Sequence, residues 1–258
     1  MWGAIIGDIS GSTYEYEQFG GVHKVKDPII LGKDSFYTDD TILTMALLDA
    51  YLHKRNYEEK LKEYAFKYEK QKNKGFDTVF SKGYMRWCRN LRDNKSTGNG
   101  AMMRISSIPY LSQSREEMEE EVVKATVPSH NTEEAIESAL IISDIIYSLK
   151  NGVPKEELIA KYKKYINYHD FTSFNATCYK TLNNCLYALF NSTDYEDAIK
   201  TVISYGGDTD TNACIVGSMA EVLHGVPVHL VVKARTYLPD SFNELLDEAY
   251  ERDNKRIK

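Results

Sequence analysis

The sequence predicts an all-α protein, a compact orthogonal bundle of roughly a dozen helices in a single domain over residues 1–258. Three observations predict it. No stretch alternates apolar and polar residues with period two between hairpin turns. Apolar residues recur instead at i, i+3/i+4, as in Tyr57, Leu61, Tyr64, Ala65 and Tyr68, with Lys and Glu on the opposite face. Helix starts and stops are also legible: Pro128-Ser-His-Asn-Thr-Glu-Glu134 supplies an N-cap and first-turn acids, and Asn151-Gly152 ends what they open.

The elements follow in order. Residues 2–11 form a short apolar helix with Gly3, Ala4 and Gly7 on its close-packing face, and residues 18–36 are loop, punctuated by Gly20-Gly21, Asp27-Pro28 and Gly32. Helices are expected over 39–54, 57–72 and 76–91, the last with a core stripe of Phe76, Val79, Phe80, Tyr84 and Trp87. The small-residue loop Ser96-Thr-Gly-Asn-Gly-Ala-Met-Met-Arg104 enters a further apolar helix. Helices then span about 116–126, 135–149, 155–165, 174–190 and 194–204, with an aromatic-rich loop, Tyr165 to Ser173, suited to covering something flat. Residues 212–223 are apolar with small Ala213, Gly217, Ser218 and Ala220, a central, closely packed helix ending at Gly225. Helices over 227–233 and 242–252 close the bundle, followed by a solvated basic tail.

Composition removes several classes of function. A chain of 258 residues with 42% hydrophobic content buries a large core. A net charge of −6 argues against a nucleic-acid partner, which needs clustered Lys and Arg. The four cysteines, Cys88, Cys178, Cys185 and Cys214, form no C-x-x-C pair and read as buried thiols of a reducing compartment. The start, Met1-Trp-Gly-Ala-Ile-Ile-Gly-Asp8, lacks the basic flank of a signal peptide, and no apolar run approaches the roughly 20 residues of a membrane span. A cytoplasmic monomer without membrane contact is expected.

Chemistry concentrates in two places. Tyr205-Gly-Gly-Asp-Thr-Asp-Thr-Asn-Ala213 sets two carboxylates and two hydroxyls at the mouth of the central helix, and Tyr37-Thr-Asp-Asp-Thr41 repeats that pattern before the run Ile42, Leu43, Met45, Ala46. Taken singly, each cluster reads as a helix N-cap. Together, Thr38, Asp39, Asp40, Asp208, Asp210 and Thr211 offer more oxygens than two caps use, and such a pile repels itself unless Mg2+, Mn2+ or Ca2+ sits within it. Asp208-x-Asp210-x-Asn212 is not an EF-hand loop, because Ala213 and Met219 stand where Gly and Glu are required. Gly7-x-x-x-Gly11 lacks the dinucleotide-binding spacing. The loop at Gly98, Asn99, Gly100 and Ala101 either presents N–H groups to an anion or simply connects two helices. His130 reads equally as a ligand contact and as a structural hydrogen-bonder, and Glu15 as a surface acid or one reaching the site.

The ordered set Gly7-Asp8, Gly11-Ser-x-Tyr-Glu15, Thr38-Asp-Asp-Thr41, Gly98-Asn-Gly-Ala-x-Met-Arg104, Ser129-His130 and Gly206-Gly-Asp-Thr-Asp-Thr-Asn-Ala213 resembles the ADP-ribosylglycohydrolase family over nearly the whole chain. The resemblance implies helices around a binuclear Mg2+ or Mn2+ centre, hydrolysis of the bond joining ADP-ribose to an acceptor, and an ADP-ribosylated protein as substrate. It assigns Thr38, Asp39, Asp40, Asp208, Asp210 and Thr211 to metal and gives catalytic roles to Glu15, Asp39 and Asp208. The loop Gly98–Ala101, with His130, would hold the diphosphate through N–H and side-chain donors. Tyr205, carried by no motif, is expected to stack on adenine.

The linkage expected is ADP-ribosyl-arginine, because Glu15 and Glu17 beside Tyr14 and Tyr16 would make a rim suited to a guanidinium. Alternatives are a serine-linked or O-acetyl-ADP-ribose substrate, a non-catalytic metal- or ADP-ribose-binding relative, and a phosphohydrolase acting on the diphosphate.

Overall fold

The computed structural model describes residues 1–71 and 77–256, and within them every regular element is helical. Fourteen α-helices are described: α1 Trp2–Glu15, α2 Asp39–Leu52, α3 Tyr57–Lys67, α4 Lys82–Cys88, α5 Gly100–Met103, α6 Ser107–Leu111 and α7 Arg115–Thr126. The second half holds α8 Glu133–Lys150, α9 Lys155–Tyr162, α10 Cys178–Asn191, α11 Tyr195–Ser204, α12 Thr209–His224, α13 Val228–Arg235 and α14 Asp240–Arg256. Caps explain most of the starts. Asn56, Ser81, Ser114, Thr132 and Asp194 each accept a hydrogen bond from the backbone N–H three residues on.

At the centre lies α12, which contacts α1, α2, α5, α8, α10 and α11. Its approach to α1 is set by absent side chains. Gly3, Gly7 and Gly11 recur every four residues along one face of α1. A Cβ at these positions would lie 2.2 Å from the Gly217 carbonyl oxygen, 2.0 Å from that of Ala213 and 2.3 Å from that of Thr209. The partners descend by four as the glycines ascend by four, so the helices run antiparallel with their backbones in contact. Thr209 Oγ1 donates to the Gly11 carbonyl (2.9 Å) and Tyr195 Oη to that of Gly3 (2.8 Å), fastening both ends. The antiparallel register brings the C-terminal end of α1, with Glu15, to the N-terminal end of α12, with Asp208 and Asp210.

The turn into α12 depends on Gly206 and Gly207, with φ of 75° and 79°, a region closed to most side chains. Gln18, in the 3₁₀ turn after α1, is buried and accepts from the Gly207 N–H at 3.2 Å, tying that turn to α1.

Several boundaries differ from the sequence expectation for identifiable reasons. The helix expected over 76–91 is only α4, because Ser81 caps at Tyr84, and Phe76 lies outside the described residues; the helix expected over 57–72 ends at Lys67, with residue 72 outside the described residues. The helix expected from 174 starts at Cys178. Asn175 Oδ1 accepts from the Thr177 N–H, and Thr177 pairs in an isolated bridge with Gly98, which holds the segment extended. The 155–165 helix tightens into a 3₁₀ turn at Lys163–Tyr165. The first helix reaches Glu15 instead of residue 11, and α14 continues to Arg256 through part of the expected tail. The four cysteines are buried and unpaired, and no helix among the described residues is long and apolar enough to cross a membrane.

Replacing Gly7 by Ala should destabilise the fold by about 2 kcal/mol or more, since the Ala213 backbone cannot yield as a side chain would. Gly20→Ala, with nothing within 4 Å of its new Cβ, should be close to neutral. Urea melts that place the two variants together would contradict the close-contact account.

Candidate metal centre and cavity

A cavity of about 710 Å³ opens over the N-terminal ends of α2 and α12. One end is carboxylate: Glu15, Asp39, Asp40, Asp208 and Asp210 line it with the hydroxyls of Thr38 and Thr211. Gly98, Asn99, Gly100 and His130 also line the cavity, as do Phe80, Tyr84 and Trp87 with Lys82 and Arg92. Phe80 stacks on Tyr84 and Tyr84 packs tilted against Trp87, with centroids 5.9 and 5.3 Å apart. They belong to the core stripe read in the sequence and also line the cavity.

The carboxylates are organised by their neighbours. Asp8, fully buried on α1, accepts from the N–H and Oγ1 of Thr38 (3.0 and 2.7 Å) and of Thr41 (3.1 and 2.5 Å). It thereby anchors the start of α2 with both of its oxygens. Thr38 caps α2 through the Asp40 N–H, and its hydroxyl and that of Thr211 both reach Asp40 Oδ2 (3.3 and 3.2 Å). Asp40 Oδ1 is buried with no hydrogen-bond partner among the described residues. Asp208 stands at the N-cap of α12 yet makes no capping bond; its Oδ2 accepts from Asn99 Nδ2 at 2.7 Å.

The capping explanation of the two clusters therefore fails where it matters. Thr38 caps α2, leaving Asp39 and Asp40 over, and α12 is not capped by Asp208 at all. Carboxylate oxygens of Asp8, Asp40 and Asp210 come within 4.8 Å of one another, and so do those of Glu15, Asp208 and Asp210. Asp39 lies outside both groups, beside them in the cavity lining. A partnerless oxygen among converging carboxylates fits a divalent cation, whose ligands are oxygens.

Proton affinities report the same crowding. Burial, offset in part by the four hydrogen bonds, raises Asp8 to about 6. Burial and then the charges of Asp208 and Asp39 push Glu15 up to about 8, and burial followed by repulsion from Asp8 does the same to Asp39. Asp40 and Asp210 are held well above the ordinary carboxylate range by burial and by their acidic neighbours. Arg104, completely buried, stands near Asp39. His130 is kept neutral by burial and by Arg104 and Arg92, far below its usual pKa.

The sequence model of the ADP-ribosylglycohydrolase family matches residues 1–257. The chain belongs to that family. ADP-ribosylarginine hydrolase Tri1 of Pseudomonas putida (strain GB-1) is 25% identical over 88% of this chain and 70% of that protein. A protein of Acanthamoeba polyphaga mimivirus, L543, which carries the name ADP-ribosyl glycohydrolase, is 24% identical over 86% of this chain and 84% of its own length. A solved chain from an ADP-ribosylglycohydrolase-related protein complex superposes with a TM-score of 0.74 at 17% identity, covering 97% of this chain and 95% of that one, and so shares the fold. Glycohydrolase activity and metal dependence are properties of this family, and the acidic clusters of this chain could hold the ions.

The structure places three groups of the site residues differently from the sequence expectation. Tyr205 does not line the cavity: its ring packs on Tyr168 with centroids 4.7 Å apart, behind the Gly206-Gly207 turn. Ala101 is buried inside α5 and also lies off the cavity. Loop 98–100 is not an open row of donors, because the Gly98 N–H goes to Ser96 Oγ (3.2 Å) and the Asn99 N–H to the Ala176 carbonyl (2.9 Å), while the Asn99 amide holds Asp208 and Thr181. The rim differs too. Glu17 is exposed and is not among the lining residues, Tyr14 Oη is occupied by the Ile29 N–H, and the aromatic lining includes Phe19 stacked on Phe174 at 4.6 Å. Asp8 and Arg104 were quoted in motifs without a role; an acid inside an otherwise apolar helix was the available signal for Asp8.

The raised carboxylates give a signed pH dependence. In metal-free protein the folded state keeps protons that the unfolded chain loses near pH 4, so stability falls as pH rises toward 8. With chelator present, Tm should drop by at least about 3 °C between about pH 5.5 and 8, and Mg2+ or Mn2+ should restore it at the upper pH. A chelated protein whose Tm is flat or rises across that window would contradict the reading.

Proposed function

We propose that this chain hydrolyses the N-glycosidic bond between ADP-ribose and an arginine guanidinium, using two divalent ions, Mg2+ or Mn2+. The observation that carries the metal reading is the charge balance: Glu15, Asp39, Asp40, Asp208 and Asp210 line the cavity with the buried Asp8 grouped against Asp40 and Asp210, and Arg104 is the buried guanidinium near Asp39. Thr38, Asp39, Asp40, Asp208, Asp210 and Thr211 would hold the ions. When bound, the ions would offset the carboxylate charge, polarise ribose hydroxyls and lower the pKa of a water.

The remaining work falls to this chain's own side chains. Asp8 fixes the turn that presents Asp39 and Asp40, and Asn99 orients Asp208. Asp39 and Glu15 keep part of their surface open to the cavity, where each can exchange a proton with the attacking water or the departing group. His130 lines the same cavity, where it would meet the diphosphate of a ligand whose ribose lies at the carboxylates and whose adenine packs on Phe80 and Tyr84. Those rings suit adenine in place of the role expected of Tyr205.

Arginine linkage is supported by two things. The relative from Pseudomonas putida is named for that linkage. Glu15 also lines the same cavity as the stacked rings of Phe19 and Phe174, and an acid together with aromatic faces attracts a planar cation and offers a serine hydroxyl no equivalent.

Turnover of matched peptides carrying ADP-ribosyl-arginine and ADP-ribosyl-serine should favour arginine, with ADP-ribose as product, and Phe19→Ala should raise KM for the arginine substrate roughly two- to fivefold. Release from serine at an equal or faster rate would remove the arginine assignment. Formation of AMP would replace glycosidic hydrolysis by cleavage of the diphosphate.

A further inference from the structure

Arg104 forms no ion pair among the described residues, although it is completely buried. Its Nη2 donates to the Ala125 carbonyl (3.4 Å) and to Ser129 Oγ (2.8 Å), while Nε and Nη1 have no hydrogen-bond partner there. A guanidinium can only donate. Ser129 Oγ is therefore the acceptor in its bond with Arg104, and the Ser129 hydroxyl proton needs an acceptor of its own. The other group on Ser129 Oγ is His130 Nδ1, at 2.7 Å.

We infer that Arg104 and Ser129 lock His130 in the neutral tautomer protonated on Nε2, making it a fixed hydrogen-bond donor to an anionic oxygen of the bound ligand. The donor sequence runs one way, from the guanidinium to the serine oxygen and from the serine hydroxyl to Nδ1, which leaves the ring proton on the opposite nitrogen. That nitrogen faces the Gly100 side: a Cβ at Gly100 would lie 3.3 Å from Nε2, and both residues line the cavity. Protonation of Nδ1 would break the donor sequence, and the charged ring would then lie buried near the guanidinium groups of Arg104 and Arg92. His130 thus acts in recognition and not as a base.

The chemistry selects the ligand group. A fixed neutral donor near a buried guanidinium that forms no ion pair among the described residues suits an acceptor-only oxygen carrying negative charge, as in a diphosphate. Naming that group rests on the ADP-ribose reading of the cavity. Ser129 is then a positioning residue that acts through His130.

The tautomer can be read without ligand. Long-range 1H–15N NMR of the full chain, with His130 assigned through His130→Asn, should show Nδ1 unprotonated and Nε2 protonated, unchanged between about pH 6 and 8. In Ser129→Ala the ring should become a tautomer mixture or begin to titrate, and ADP-ribose should bind roughly tenfold more weakly by calorimetry. A wild-type ring protonated on Nδ1, a ring that titrates in that range, or a Ser129→Ala ring with an unchanged tautomer would each overturn the lock. An Nε2-protonated ring in a protein with no affinity for ADP-ribose would support the lock while overturning the ADP-ribose reading, so the two fail separately.

Discussion

The structure depends on the backbone contact between α1 and α12. With Gly3, Gly7 and Gly11 packed onto the carbonyls of Gly217, Ala213 and Thr209, the two helices lie closer than any side chain would allow, and their antiparallel register is set within one turn. That register has a chemical result. It delivers Asp8 from the middle of α1 to the start of α2, and Glu15 from its end to the start of α12. Two acidic turns far apart in sequence thus meet at one end of a cavity, held by helix packing and not by the loops that carry them. Thr209 bonds the Gly11 carbonyl from inside the acidic motif, so the same segment of α12 serves the packing and the site.

The arrangement stores a cost in the absence of cations. Burying several carboxylates together is unfavourable, and proton uptake by Asp8, Glu15, Asp39, Asp40 and Asp210 relieves it only partly. Asp8, Asp40 and Asp208 are nonetheless held in place by neighbouring donors. Thr38 and Thr41 donate to Asp8, Thr211 to Asp40 and Asn99 to Asp208. Such an arrangement could hold cations, which would relieve the charge. Arg104 supplies one fixed positive charge nearby and, through Ser129, sets the orientation of the neutral ring across the cavity.

Much of this was legible in the sequence because it is written in local patterns. The helical periodicity, the two acidic turns and the small residues of α1 and α12 are each contained within a few turns of chain, and the fold class follows from them. What escaped depends on distant partners. Nothing local to Asn99 indicates that its amide faces Asp208 instead of an anion, and nothing local to Gly98 reveals that Ser96 Oγ occupies its N–H. Tyr205 adjoins the second acidic turn in sequence, but the two left-handed glycines that follow swing the chain so that its ring faces Tyr168. The helix expected from residue 174 failed for a similar reason, since the bridge from Gly98 to Thr177 forms across the fold. Adjacency in sequence was a poor guide wherever the backbone reversed.

The central claim is that the packing of α1 on α12 assembles a site for two neighbouring divalent ions. Electron paramagnetic resonance of the metal-free chain titrated with Mn2+ tests it most directly, because two ions a few ångströms apart couple magnetically and one ion, or two separated ions, do not. The account predicts a spin-coupled signal that saturates at two equivalents per chain and is absent when Asp210 is replaced by Asn. Saturation at one equivalent with an uncoupled six-line spectrum, or no ordered binding at all, would contradict it.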